Sequence, residues 1–240
     1  MADNLTKYDL SKITFHLVGA AQFSFSVFYD WTFVKIPIEV SRMGSGFGGK
    51  LQFLTFWNAI LQSVYFVVCV TNDCIGTNEN NPNRPPLIRR LKDYLQPVLA
   101  FPVALFVGAT FWGLYAIDRE LVLPRAVDPY FPWWLNHIMH SNIVLFSLIE
   151  MVICFRKYPD RIIGIGGLTM FMGSYLIWTH VVFYKTGEWV YPVLNKLGFP
   201  LRMGFFGGLL CFASVWYFLG EYINNKVWAK EMEKIEKKKQ

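Results

Sequence analysis

The sequence predicts an all-α membrane protein, a six-transmembrane-helix bundle with both termini cytoplasmic. Three observations predict it. First, the chain of 240 residues is 54% hydrophobic and only 17% charged, with a mean hydropathy of +0.31. A soluble domain carries about 25% charged residues. Second, the apolar residues are gathered into runs, and a bilayer core of roughly 30 Å needs about 20 of them in one helix. Third, lysine and arginine are shared unevenly among the segments between the runs. The connections are too short to hide a soluble domain, so 1–240 reads as a single multi-pass membrane domain.

The first predicted span, 13–31, is speckled with polar residues, and up to Tyr29 its ionisable group is His16. The polar N-terminus has no early cationic patch, so this span reads as a retained signal anchor. Segment 30–50 holds Gly44 to Lys50, which formally matches GxxxxGK. Leu51 follows where Ser or Thr is needed and no strand is expected before it, so it reads as a flexible glycine loop rather than a phosphate cradle.

The second span, 51–72, carries no charge. The longest connection, 73–94, holds Asn78 to Pro86 and has turn composition. The third span, 95–117, is uncharged, and Pro97 and Pro102 are expected to kink it. The fourth, 133–155, contains one carboxylate, Glu150. The fifth, 162–184, contains His180, and the sixth, 203–221, ends at Glu221. A basic tail, 222–240, follows. Trp133, Trp134, Tyr184, Trp189 and Tyr191 fall where interfacial aromatic belts are expected.

Orientation follows from the basic residues. The N-terminus, 73–94, 156–161 and the tail carry 15 lysines and arginines, and the other three connections carry 8. The richer side is cytoplasmic. Asn4-Leu5-Thr6, a formal glycosylation acceptor, should then stay unmodified. Lys237 to Gln240 looks like a dilysine retrieval signal, which favours the endoplasmic reticulum membrane, with the cell membrane as the alternative. Six of the basic residues lie in the last fifteen positions, a tail that suits an anionic leaflet, and the net charge of +6 is not a nucleic-acid signature. Cys69, Cys74, Cys154 and Cys211 have no disulfide-framework or CxxC spacing and read as buried or membrane-embedded thiols.

Polar groups inside a span are costly and are functional candidates by default. On the second span Thr55, Asn58, Gln62 and Tyr65 share a helical face, and on the fourth so do Asn136, His140, Ser147 and Glu150, with His137 nearby. Interhelical hydrogen bonding explains Asn58, Gln62 and Ser147. Thr55 and His140 lie roughly 6 and 10 Å below the same non-cytoplasmic surface, by about 1.5 Å per residue. Thr179 and His180 reach that level from the fifth span. A threonine hydroxyl activated by a histidine base suits attack on an ester carbonyl. Asn136 is a candidate oxyanion donor, and no acid to orient the histidine is evident. Taken alone, such a pair in membrane helices is structural more often than catalytic. His137 and His140 with His180 have ligand types for zinc. No partnering carboxylate stands out, so no metal and no cofactor is expected.

Several runs together carry a resemblance. They are LQFLTF at Leu51–Phe56, LAFPV at Leu99–Val103 with Phe111-Trp112, and Asp118-Arg119-Glu120. WLNHIMH at Trp134–His140, Tyr158-Pro159, TGEWVYP at Thr186–Pro192 and LGEYIN at Leu219–Asn224 follow in order. From about residue 50 to 228 the chain resembles the androgen-induced gene 1 family, which includes the androgen-dependent regulator of tissue factor pathway inhibitor. Residues 1–49 match it poorly. The resemblance implies a threonine hydrolase that cleaves fatty acid esters of hydroxy fatty acids within the membrane. It places the nucleophile on Thr55 and the essential histidine on His140, with Asn136, His137 and His180 around them. A non-catalytic membrane adaptor or regulator is the rival reading, and a zinc-dependent membrane hydrolase a further one.

Overall fold

A computed structural model describes residues 7–40, 46–191, 194–195 and 197–238. Asn4 to Thr6, Gly44, Pro192 and the last two residues of the lysine-rich terminus lie outside the described residues. The regular secondary structure among the described residues is helical, with no strand.

Among the described residues, seven α-helices organise the chain, with short 3-10 turns between them. α1 is Lys7–Phe33 and α2 is Leu54–Ile75. α3 spans Leu87–Ile117 and α4 spans Trp133–Ile153. α5 is Arg161–Thr186, α6 is Phe199–Val227, and α7 is the short Ala229–Lys237. Helices α2 to α6 are each long and apolar enough to cross a bilayer. α1 is 27 residues long but falls short in apolarity, in line with its polar-speckled sequence. α3 starts eight residues before the predicted span. Its added N-terminal stretch carries Arg89 and Lys92, which are buried against the bundle instead of lying in a loop.

Local sequence explains the helix ends. Pro86 and Pro132 hold extended conformations before α3 and α4. The Asp160 side chain accepts from the N–H of Ile162 and caps α5, and Gly187, at φ 74°, closes it in the left-handed region. Both α3 and α4 contain one π-helical turn, Gln96–Ala100 and Ile138–Asn142. The predicted irregularity at Pro97 takes this form, because proline removes a backbone donor. Gln62 Nε2 donates to the Ala100 carbonyl at 2.8 Å, so the expected polar glue on α2 serves the π turn of α3.

α1 packs along α2, and α3 is lined by α2, α4, α5 and α6. Phe23, Phe66, Phe15 and Phe146 stack where α1, α2 and α4 meet. Gly19 permits this approach, since a Cβ there would stand 2.5 Å from the Phe66 ring. Large apolar side chains such as Phe28, Val67, Leu145, Ile177 and Val215 face outward. With five such helices, this surface fits an integral multi-pass membrane protein. All four cysteines are free. Cys69 and Cys154 are buried, whereas Cys74 and Cys211 are exposed.

Candidate active site

Thr55 stands in the first turn of α2, just after the extended residue Phe53. That turn is clamped from several sides. The indole nitrogens of Trp57 and Trp178 both donate to the Leu51 carbonyl, at 2.8 and 2.7 Å. The Tyr175 hydroxyl accepts from the N–H of Leu54 at 2.9 Å and donates to the Gln52 carbonyl at 2.8 Å. The Tyr191 hydroxyl lies 3.0 Å from that of Tyr175. Burial pushes the Tyr191 phenol above its ordinary pKa range, so it stays a neutral hydroxyl there.

The Lys50 ammonium meets both the carboxylate and the backbone carbonyl of Asp30, tying the segment before α2 to the end of α1. Lys50 therefore reaches a carboxylate of its own chain.

His140 lies in the π turn of α4 and is 5% exposed. Its Nδ1 is 3.0 Å from the Asn136 carbonyl, which only accepts, so Nδ1 carries the proton. Nε2 is then the acceptor nitrogen, and it lies 3.3 Å from Thr55 Oγ1. The imidazole also stacks on Phe111, with centroids 3.6 Å apart and planes 17° apart. Among the described residues, the ring is therefore held by a backbone carbonyl and an aromatic face rather than an acid.

Asn136 is fully buried one turn before His140, and neither amide atom has a hydrogen-bond partner among the described residues. The first N–H groups of a helix have no acceptor within it. That of Leu54 goes to Tyr175, and those of Phe56 and Trp57 go to the Phe53 carbonyl.

The other two candidate histidines, His137 and His180, find their partners elsewhere. His137 Nδ1 is 3.1 Å from Ser141 Oγ, which also accepts from Trp112 Nε1. Its ring packs against Trp112 and Trp133. His180 is exposed. It donates to the Leu176 carbonyl of its own helix and packs against Trp189 and Phe206. Among the described residues, these histidines do not gather into a metal-ligating group with His140.

Sequence reasoning missed the anchors Tyr175, Tyr191 and Trp178. It read Tyr191 only as an interfacial aromatic, and the polar head of each was the available signal.

Residues 11–225 match the family described as FAR-17a/AIG1-like protein. The chain is 39% identical over 201 residues to the androgen-induced gene 1 protein of Homo sapiens, covering 80% of this chain and 84% of that one. It is 35% identical over 195 residues to the androgen-dependent TFPI-regulating protein of Mesocricetus auratus, covering 80% and 83%. The Homo sapiens protein of that name is 28% identical over 229 residues, covering 95% and 98%. No solved structure matches. With its family match running across nearly all the helices, the chain belongs to the FAR-17a/AIG1-like protein family.

Proposed function

We propose that this protein is an intramembrane threonine hydrolase that cleaves fatty acid esters of hydroxy fatty acids. The observation that carries the reading is Thr55 Oγ1 lying 3.3 Å from the unprotonated Nε2 of His140. A hydroxyl needs a base to become a nucleophile, and this nitrogen is aimed at it. In the proposed reaction His140 takes the Thr55 proton while Oγ1 bonds to the ester carbonyl carbon. The tetrahedral oxyanion forms at the N-terminus of α2, where the helix dipole favours negative charge. The Asn136 amide, unpartnered among the described residues, is the side-chain donor for it. Collapse breaks the ester C–O bond, and His140 returns the proton to the leaving hydroxy acid. Water, deprotonated by the same nitrogen, then attacks the acyl carbon, the carbon–Oγ1 bond breaks to free the fatty acid, and His140 returns the proton to Thr55 Oγ1.

The proposed setting is a six-span bundle in which α1 also crosses, with both termini cytoplasmic. Thr55 and His140 then lie near the opposite leaflet, and a lipid reaches them sideways. The endoplasmic reticulum is the proposed membrane. A regulator without turnover is the second reading, favoured by relatives named as TFPI-regulating proteins.

A fluorophosphonate acyl mimic, applied to membranes that contain the full chain, separates the two. The esterase reading expects labelling of the wild type and none of Thr55→Ala. Equal labelling of both, or none of either, overturns it.

A further inference from the structure

A second polar cluster occupies the opposite end of the bundle, where α1, α2 and α4 meet. His16 of α1 is fully buried. Its Nε2 lies 2.9 Å from Glu150 Oε2, and its Nδ1 lies 2.5 Å from Asp73 Oδ2. The Sγ of Cys154, just past the end of α4, lies 3.7 Å from the same Nε2. The ligand atoms of His16, Glu150 and Cys154 all fall within 4.8 Å of one another. Thr55 and His140 are no part of this group.

We infer that His16 Nε2, Glu150 Oε2 and Cys154 Sγ form a site for a divalent transition metal of the zinc type. One thiolate, one imidazole and one carboxylate are a ligand set that zinc takes. At ordinary zinc bond lengths a tetrahedral site separates N and S ligands by about 3.6 Å, and N and O ligands by about 3.4 Å. The nitrogen–sulfur edge already has that length. The nitrogen–oxygen edge must open by about half an ångström for the ion to enter.

The surrounding groups are those that orient metal ligands. Asp73 holds Nδ1–H and so turns Nε2 toward the other two. Tyr65 and Arg156 both donate to Glu150 Oε1, at 2.8 and 2.7 Å, leaving Oε2 for the ion. The Lys92 ammonium lies 3.7 Å from Cys154 Sγ, where it offsets a thiolate. Lys92 and Arg156 both carry positive charge. With the thiolate formed, Cys154, Glu150 and Asp73 supply three negative charges against the ion and these two groups. Without an ion, one imidazole must carry a proton on each nitrogen to serve both carboxylates. Binding exchanges the Nε2 proton and the Cys154 thiol proton for one M²⁺, so two protons leave. The bound ion would tie α1 to the ends of α2 and α4.

The test uses the full chain purified in mild detergent without chelator. The exposed Cys74 and Cys211 are replaced by serine to remove adventitious thiol sites. Elemental mass spectrometry after dialysis against zinc should find about one zinc per chain. Cobalt in its place should give the near-ultraviolet absorption of a thiolate–cobalt bond. Cys154→Ala should abolish that absorption, and Asp73→Asn should weaken metal affinity by about 10- to 100-fold. The inference is overturned if the parent protein retains no zinc and cobalt adds no thiolate band. It is equally overturned if Cys154→Ala keeps the band. Should Cys154→Ala fail to fold, the parent's own metal content and cobalt spectrum decide the matter. Each readout is independent of ester hydrolysis.

Discussion

Gly108 on α3 rests against the backbone carbonyl of His140. A Cβ built at Gly108 would stand 2.9 Å from that oxygen and 2.5 Å from Cγ2 of Val144. The absent side chain lets α3 lie close to the π turn that carries the proposed base. It also brings Phe111, one helical turn further along α3, over the imidazole.

Gly108→Ala should therefore separate α3 from α4 and displace the ring from Thr55. Overpacking of this kind costs about 1–3 kcal/mol. Misplacing a catalytic group by about 1 Å can cost about 100-fold in rate. The expected outcome is a lower melting temperature in detergent with ester hydrolysis reduced by about 10-fold or more. Wild-type hydrolysis in this variant would mean that the Gly108–His140 approach does not position the base.

Thr55→Ala removes the nucleophilic oxygen and should lower ester turnover by about 10³-fold or more, whereas Thr55→Ser keeps a hydroxyl and should retain measurable turnover. His140→Ala should cost about 10²- to 10⁴-fold, the range for a general base. Steady-state assays of matched membrane preparations read all three. Unchanged hydrolysis in both alanine variants would refute the proposed chemistry.

Asn136→Ala carries a different signature. The lost amide makes no hydrogen bond among the described residues, so the fold should lose little beyond side-chain volume. If the amide meets the developing oxyanion, kcat should fall by about 10²- to 10³-fold with KM nearly unchanged. A fall in stability with normal kcat would instead assign Asn136 to packing.

The meeting of Thr55 with His140 was legible in the sequence. Helical spacing placed each on a polar face, and rise per residue placed both within about 10 Å of the same surface. The π turn around His140 was not legible, because Ile138–Asn142 holds no proline or glycine to mark a change of backbone hydrogen bonding. His180 shared the depth but faces outward, and depth alone does not fix the azimuth of a side chain. The cluster of His16, Asp73, Glu150 and Cys154 was visible only as isolated polar residues. Its members come from three helices and a connection, up to 138 positions apart. Sequence periodicity reports which residues share a face of one helix, not which faces meet. The eight-residue extension of α3 was hidden for the opposite reason. Arg89 and Lys92 read as loop charges, yet each finds buried partners across the bundle.

Glu150→Ala tests how much of the fold depends on that buried end. Glu150 and Arg156 are both fully enclosed, and their oxygen and nitrogen lie 2.7 Å apart. Removing the carboxylate leaves the Arg156 charge without its counter-ion, and Tyr65 and His16 each lose an acceptor. Breaking a buried pair in this way costs about 3–5 kcal/mol, far more than loss of a surface bridge. For a chain of this length, about 2–4 °C of melting temperature corresponds to each kcal/mol, so a drop of about 10 °C is expected in detergent. Arg161→Ala is the control, because its bridge to Glu221 is exposed at the arginine and should shift the melt by little. Equal, small shifts in both variants would mean that the buried network contributes no more than a surface pair. A large shift in Glu150→Ala alone makes this cluster the electrostatic anchor that holds α1 against α2 and α4, whatever chemistry runs at Thr55.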